Sequence, residues 1–238
     1  MDKLPSVIIL PGWRVSSNRY TDLKERFNYA GYLAYVFGFA GFEPDKPLDR
    51  PMSLADYALD VENFIREKKI KKAVLIGHSF GGRVGILLAG NDLDWLSVLV
   101  LTGTPGFVPV NSFKRNLFLI LSKIGKLIFS FPILNIFSSI SKKILYRLSG
   151  SVDYLKVDGN LKKTFQSVIR EDLEPFMKKI KVPTLLIWGE DDSIVSVSIA
   201  RKMKKTIINS HIEVISNGTH GIPFNNAEEF YKLVEKFI

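Results

Sequence analysis

The sequence predicts an α/β protein in which a mostly parallel sheet of about six strands is flanked by helices. Two observations predict this class. Apolar runs of four or five residues alternate along the 238-residue chain with segments of helical periodicity. The runs are apolar at nearly every position, as expected for strands that helices cover on both faces. The alternation stops after residue 106 and resumes at residue 182, so an insertion separates two parts of the core.

The first part of the core, residues 1–106, alternates strands with helices. A helix begins at Ser53, which forms a pattern resembling a capping box with Asp56, and it ends at the basic run of residues 68–72. Further helices are expected at residues 18–30 and 83–89, and strands at residues 7–10, 33–37, 73–76 and 97–101.

The second part of the core, residues 182–238, repeats this order. Strands are expected at residues 184–188 and 212–215, and helices at residues 197–205 and 227–237. Residues 107–181 form the insertion, and the apolar positions between residues 117 and 128 follow helical spacing. We therefore expect a mostly helical insertion between the fourth and fifth strands.

The composition excludes several classes of protein and of site. Hydrophobic residues make up 46% of the chain and charged residues 24%, which is ordinary for a globular protein and excludes disordered or collagen-like chains. The absence of cysteine excludes disulfides, cysteine nucleophiles and cysteine-based metal sites. Only three histidines are present, which leaves little room for a histidine-rich metal centre. We expect no metal and no other cofactor.

The net charge of +9 is concentrated in one segment. Residues 111–181 carry 14 Lys and Arg against 5 Asp and Glu, and the rest of the chain carries 19 of each. This argues against a nucleic-acid partner, which would need a wider basic surface. The basic insertion favours a solvated polar face, weak contact with an anionic membrane surface, or acidic substrates. No secretory signal or membrane span is evident, so we expect a cytoplasmic protein.

The segment Gly77-His78-Ser79-Phe80-Gly81 matches G-x-S-x-G and lies between an expected strand and an expected helix. A tight turn there exposes the Ser79 hydroxyl above the strand ends, and the two glycines let strand and helix approach closely. The start of the helix places positive partial charge beside the hydroxyl. Ser79 is therefore the candidate nucleophile.

A serine hydroxyl needs a base to take its proton, and three histidines are available. His78 is adjacent to Ser79, and its side chain is expected to point away from the turn. His211 begins a strand, where a surface histidine is the simpler interpretation. His220 lies in a glycine-flanked loop after the last strand, at the same sheet edge as Ser79, and is the candidate base.

Three acidic residues follow the fifth strand, Glu190, Asp191 and Asp192. Any one of them can orient the base, and those that do not would belong to a solvated turn.

Oxyanion stabilisation needs two preorganised donors. The backbone N–H of Phe80, which follows the nucleophile, is one candidate. The N–H of Trp13, in the loop after the first strand, is the other, although Pro11-Gly12 is also compatible with a plain turn.

Together these residues resemble the α/β-hydrolase family, in which the chain order is also serine, acid, histidine. The resemblance covers nearly the whole chain, with residues 107–181 as a helical lid. The family often carries its acid in a strand-Gly-x-x-Asp turn, and Gly189-Glu190-Asp191-Asp192 matches this with Asp192. It implies a triad of Ser79, Asp192 and His220.

The sequence also departs from the family pattern. Pro11-Gly12 stands where relatives often have His-Gly, and residues 38–42 keep only part of a glycine-rich loop common after the second strand. The two strands that begin many relatives have no counterpart, so a shorter sheet is expected. Ser79 stands where epoxide hydrolases and haloalkane dehalogenases of this fold use an aspartate, which favours acyl transfer to water.

The leading hypothesis is a serine esterase that acts on a small-molecule ester. Hydrolysis of an activated carbon–carbon bond is an alternative, with Arg83 or Arg14 as the cation for a substrate carboxylate, and a non-catalytic ligand receptor is another. An acyl-chain pocket or plain packing would explain the many apolar residues of the insertion, which are Phe113, Leu117, Phe118, Ile120, Leu121, Leu127, Ile128, Phe129 and Phe131.

Overall fold

A computed structural model describes residues 4–107 and 159–238 of the chain. Its described strands form one six-stranded sheet in the order β2-β1-β3-β4-β5-β6, and every neighbouring pair is parallel. The predicted fold class is therefore confirmed. The strands are β1 (Ser6–Leu10), β2 (Ala34–Val36), β3 (Ala73–His78), β4 (Leu96–Thr102), β5 (Thr184–Gly189) and β6 (Ser210–Ile215).

The described helices lie on both faces of the sheet, and their bounds differ from the predicted ones mainly at the starts. Residues 18–30 are not one helix, because a 3-10 turn (Ser17–Tyr20) precedes α1. The third helix begins at Phe80, three residues earlier than expected. The helices are α1 (Thr21–Tyr29), α2 (Leu54–Glu67), α3 (Phe80–Gly90), α4 (Gly159–Val168), α5 (Glu174–Met177), α6 (Val197–Thr206), α7 (Ile222–Asn225) and α8 (Ala227–Phe237).

The strands bury both of their faces, which explains why they are apolar throughout. In β1, Val7 and Ile9 pack into a core with α1 and α8, whereas Ile8 and Leu10 pack into a second core with α2 and α3. Each fully buried side chain of this kind contributes about 1.5–3 kcal/mol to stability. The predicted capping box at the start of α2 is present, since Ser53 and Asp56 exchange hydrogen bonds.

The predicted insertion lies mostly outside the described residues. All nine apolar residues proposed for an acyl-chain pocket and most of the basic residues fall within residues 108–158, so those expectations stay predictions. Its described end packs on the core, where Thr164 Oγ1 accepts a hydrogen bond from the Met52 N–H at 2.8 Å. Within residues 4–107 and 159–238, no helix is long and apolar enough to cross a membrane.

Candidate active site

Ser79 occupies a strained turn between β3 and α3. Its φ of 52° and ψ of −110° lie in a region that side-chain-bearing residues rarely adopt. Such a conformation costs about 1–3 kcal/mol and persists only where the surroundings impose it. Here the Ser79 N–H donates to the Thr102 carbonyl at 2.9 Å, and the Gly81 N–H donates to the Pro11 carbonyl at 2.9 Å. The turn is thus fastened to the ends of β1 and β4.

The glycines of this turn are required by close backbone contacts. A Cβ atom on Gly77 would lie 2.5 Å from the Cα of Gly82, and one on Gly81 would lie 2.1 Å from the carbonyl oxygen of Leu10. Real Cβ atoms do not approach backbone this closely, so only glycine fits. The turn can place Ser79 at the strand end because strand and helix touch without intervening side chains.

His220 and Asp192 lie in the loops after β6 and β5 and contact each other. The Nδ1 atom of His220 is 2.8 Å from Asp192 Oδ2, and the Asp192 side chain is 1% exposed against 18% for His220. The other carboxylate oxygen accepts hydrogen bonds from the N–H groups of Ile194 and Val195 at 2.9 and 2.8 Å. Burial alone would raise the pKa of Asp192, but these hydrogen bonds outweigh it and hold the pKa below its ordinary value.

The acid–base pair and the nucleophile turn meet beyond the end of β4. Gly103 follows Thr102, whose carbonyl holds the Ser79 N–H, and a Cβ on Gly103 would lie 2.8 Å from His220 Nδ1. The His220 ring therefore packs over the Gly103 backbone. No hydrogen bond joins the Ser79 hydroxyl to His220 within the described chain. Catalytic hydrogen bonds are often long before substrate binds, so the lack of this hydrogen bond is compatible with His220 acting as the base for Ser79.

The remaining acidic and histidine candidates lie elsewhere. Glu190 and Asp191 are exposed at the start of the loop that carries Asp192. His211 is on the surface of β6, 2.9 Å from Glu213 Oε1. Among residues 4–107 and 159–238, no cluster of three or more His, Asp or Glu side chains could hold a metal ion.

His78 points into the core beneath the turn rather than toward solvent. Its Nδ1 is 2.6 Å from the Tyr20 hydroxyl, and its Nε2 is 2.9 Å from the backbone carbonyl of His220. Burial, with the nearby His220 as a smaller cause, lowers the pKa of His78 to about 3, so the ring is neutral. Sequence reasoning missed Tyr20, because a lone buried tyrosine carries no distinguishing pattern.

The two predicted oxyanion donors lie at the start of α3 and in the loop after β1. Phe80 is the first residue of α3, so its N–H has no partner inside the helix. Trp13 follows Gly12 in the loop after β1, and its indole contacts the rings of Phe80, Phe42 and Phe165 with centroids 4.9–5.4 Å apart. An apolar wall therefore stands beside the proposed oxyanion position.

Arg83 does not occupy the position of a substrate-binding cation. Its guanidinium is buried in α3 and donates to the backbone carbonyls of Pro105, Val168 and Glu171. All three acceptors are main-chain atoms, two of them at the described end of the insertion. Arg83 thus fastens that segment to the core, and the proposed role of holding a substrate carboxylate is not supported for this residue.

The parallel sheet with helices on both faces, together with a serine at the turn after β3, is the architecture of an α/β-hydrolase. A family model described as "Serine aminopeptidase, S33" matches residues 3–227. The chain therefore belongs to this family of α/β-hydrolases.

Individual relatives agree with this assignment. The chain is 25% identical over 97% of its length to the AB hydrolase superfamily protein YisY of Bacillus subtilis, covering 90% of that protein. An esterase from Exiguobacterium antarcticum superposes with a TM-score of 0.73 at 20% identity, covering 100% of this chain and 92% of that one. A meta-cleavage product hydrolase from Pseudomonas fluorescens gives 0.69 at 18% identity, with 98% and 89% covered. The two structures support the fold.

Proposed function

We propose that the protein is a serine hydrolase that cleaves carboxylic esters through an acyl-enzyme intermediate, with Ser79, Asp192 and His220 as its catalytic triad. One observation carries the proposal. Ser79 is held at positive φ at the carboxyl end of β3, and the Asp192–His220 pair lies over Gly103, at the end of the adjacent strand. These residues have the types and the order that nucleophilic acyl transfer requires.

In the proposed reaction, the Ser79 Oγ attacks the ester carbonyl carbon while His220 Nε2 takes the hydroxyl proton. The backbone N–H groups of Phe80 and Trp13 hold the oxyanion of the tetrahedral intermediate. When the carbon–oxygen bond breaks, His220 returns the proton to the leaving alkoxide. Water then attacks the acyl-enzyme with His220 again as base, releasing the carboxylic acid and Ser79.

Asp192 suits the role of orienting His220. A lowered pKa keeps its carboxylate ionised, and an ionised carboxylate accepts the Nδ1–H of His220 and leaves Nε2 free to take the serine proton. Its second oxygen is held by the N–H groups of Ile194 and Val195, so the carboxylate cannot rotate away. The charged imidazolium formed during the reaction is stabilised by the same contact.

An apolar acyl group fits the surroundings of the proposed oxyanion position. Trp13 lies in the loop after β1, residues 11–14, which we call the oxyanion loop. Its indole contacts Phe42 of the core and Phe165 of α4. A series of p-nitrophenyl esters from acetate to octanoate tests this preference. We expect kcat/KM to rise with chain length, and a strong preference for acetate would contradict an apolar acyl site.

The replacement Ser79→Ala tests the proposal itself. We expect turnover of p-nitrophenyl esters to fall by about 10⁴-fold or more, because the nucleophile is lost. Ser198→Ala, at an exposed position in α6, is the matched control and should keep full activity. Circular dichroism of both variants checks that the fold survives. Retention of most activity by a folded Ser79→Ala protein would reject Ser79 as nucleophile.

Two other functions fit the same scaffold and are separated by simple measurements. One structural neighbour is named a meta-cleavage product hydrolase. Hydrolysis of an activated carbon–carbon bond is the corresponding alternative here, and a vinylogous diketone substrate assayed beside the esters distinguishes it. The Arg83 guanidinium is committed to backbone carbonyls, so Arg14 is the remaining candidate cation for this alternative. A non-catalytic receptor would not react with a fluorophosphonate probe, whereas the proposed enzyme should be labelled at Ser79.

The expected partner is therefore a small-molecule ester. A cytoplasmic location and a weak membrane contact through the basic insertion are part of the proposal, and both rest on the sequence alone. Sedimentation with anionic vesicles tests the second. Binding that vanishes when Lys114, Lys123 and Lys126 are replaced by glutamine would support it, and absence of binding at low salt would overturn it.

A further inference from the structure

Two residues outside the proposed triad connect the loops that carry its parts. Tyr20 is fully buried at the end of the 3-10 turn, and His78 is buried one residue before the nucleophile. The Tyr20 hydroxyl contacts the Gly12 N–H at 2.9 Å and His78 Nδ1 at 2.6 Å, and His78 Nε2 contacts the His220 carbonyl at 2.9 Å. A continuous chain of hydrogen bonds thus runs from the oxyanion loop to the loop of the base.

The direction of every hydrogen bond in this chain is fixed. The carbonyl of His220 can only accept, so His78 Nε2 carries a hydrogen. A neutral imidazole has a single N–H, so His78 Nδ1 is an acceptor and takes the hydroxyl hydrogen of Tyr20. Burial raises the pKa of Tyr20, which keeps that hydrogen in place. The phenolic oxygen in turn accepts from the Gly12 N–H.

Packing holds the chain in this arrangement. A Cβ on Gly12 would lie 3.0 Å from His78 Nδ1 and 3.2 Å from its Cε1, so the imidazole sits directly on the backbone of the oxyanion loop. Phe224 of α7 contacts the rings of both Tyr20 and His78 at 5.6 and 5.8 Å, and the Arg19 guanidinium covers Phe224 at 4.6 Å. The His78 and His220 rings are 5.0 Å apart.

We propose that Tyr20 and His78 form a neutral hydrogen-bonded bridge that fixes the position of the oxyanion loop relative to the His220 loop, and that both are positioning residues for hydrolysis. This inference rests on the proposed function of Ser79 and His220. The bridge matters because the Trp13 N–H, which follows Gly12, and the His220 imidazole must act on the same reacting carbonyl. A misplacement of about 1 Å between such groups can cost about 10²-fold in rate.

The variant Tyr20→Phe breaks the bridge while keeping its ring. We expect kcat on p-nitrophenyl acetate to fall between about tenfold and about a hundredfold, with KM changed by less than about twofold. Tyr57→Phe is the matched control, because Tyr57 is also fully buried and its hydroxyl donates to a backbone carbonyl, that of Ala40. An equal loss of thermal stability in both variants with an unchanged kcat in both would overturn the proposal.

Replacements of His78 test the two ends of the bridge separately. The shorter amide of His78→Asn can accept from Tyr20 but does not reach the His220 carbonyl, whereas the longer amide of His78→Gln reaches it. We expect a higher kcat for His78→Gln than for His78→Asn. The double variant Tyr20→Phe/His78→Asn should lose no more than the larger single loss, because both changes break one chain. Losses that multiply would contradict a single bridge.

The tautomer of His78 gives a readout that needs no activity. The chain has three histidines, so ¹⁵N-histidine spectra are assignable with one variant for each. We expect His78 to show a protonated Nε2 and a bare Nδ1, unchanged from about pH 8 to about pH 5. A protonated Nδ1 would overturn the bridge.

Ser79→Ala, assayed in parallel, separates the two proposals. If Ser79→Ala keeps its activity, the proposed triad is rejected. If Ser79→Ala is inactive and Tyr20→Phe is fully active, only the bridge is rejected.

Discussion

The turn that carries Ser79 and the loop that carries His220 reach the same sheet edge by different means. The turn is held by backbone, since Gly77 and Gly81 allow main-chain atoms to touch where any side chain would collide. The loop has a comparable backbone contact, since the Asp191 N–H donates to the Gly218 carbonyl at 2.8 Å. His220 itself is held by side chains from elsewhere in the chain, with Asp192 on its imidazole and His78 on its carbonyl. The nucleophile is therefore positioned by main-chain contacts, whereas the base is positioned mainly by hydrogen bonds from two side chains.

The difference has an energetic consequence. Where backbone atoms touch, a single added Cβ atom creates a clash, and the clash lowers the free energy of unfolding of the whole protein. A hydrogen-bonded loop fails in steps, and each lost bond costs about 0.5–1.5 kcal/mol while the rest of the molecule stays folded. We expect substitutions in the turn to lower stability, and substitutions around the loop to lower activity first.

The largest expected effect is on activity, at the base. His220→Gln should lower kcat/KM by about 10⁴-fold, which is about 5.4 kcal/mol at about 1.36 kcal/mol per decade. His211→Gln provides the contrast, because this histidine lies on the exposed face of β6 beside Glu213, and its change should stay within about twofold. Steady-state ester hydrolysis measures both. Comparable losses in the two variants would remove His220 from the proposed triad.

The next effect is on stability, at the turn. Gly81→Ala should lower the free energy of unfolding by about 3 kcal/mol or more, because its Cβ would meet the Leu10 carbonyl oxygen at 2.1 Å. Gly85→Ala in the same helix meets only the flexible ends of leucine side chains, of which Leu99 at 3.2 Å is the nearest. Its better helix propensity offsets that contact, so a change within about 1 kcal/mol is expected. Urea unfolding compares the two, and equal stabilities would show that the turn is not held sterically.

The effect that is smallest for each pH unit is the pH dependence of stability caused by His78, which lies beneath the turn. The pKa of His78 is about 3 in the folded protein and near 6.5 when unfolded, so between these values only the unfolded chain takes up the proton. The contribution of His78 to stability is therefore fully present above about pH 6.5 and is lost on acidification, by up to about 1.4 kcal/mol per pH unit. Thermal melts of His78→Gln should show a shallower decline than the wild type, and His211→Gln should not. Equal slopes in all three would show that His78 does not cause the pH dependence of stability.

Much of the fold was predictable from the sequence because its determinants are local. Apolar runs marked the strands, Ser53 and Asp56 marked the start of α2, and the glycines around Ser79 marked the turn. The division of residues 18–30 into a 3-10 turn and a helix was not predicted. That division depends on tertiary contacts, because Tyr20 lies at the end of the 3-10 turn and its hydroxyl contacts Gly12 and His78.

The candidate site was predictable only in its residue types. Its sequence pattern named Ser79, Asp192 and His220 as candidates, and these assignments remain predictions of function. The bridge through Tyr20 could not be predicted, because Tyr20 and His78 are 58 residues apart and His78 and His220 are 142 apart. The position of Arg83 was equally hidden, since nothing local distinguishes a guanidinium that binds carbonyls from one that binds a substrate.

A loss of activity in acid could originate either at the titrating groups of the site or in release of the insertion from the core. The contacts of Arg83 distinguish these two origins. Burial lowers the pKa of Arg83 to about 10, which still leaves the guanidinium charged at neutral and acidic pH. Its grip on the main chain at Pro105, Val168 and Glu171 is thus insensitive to acid. Acid inactivation of this enzyme would then originate at its carboxylates and imidazoles, with the described end of the insertion still seated on α3.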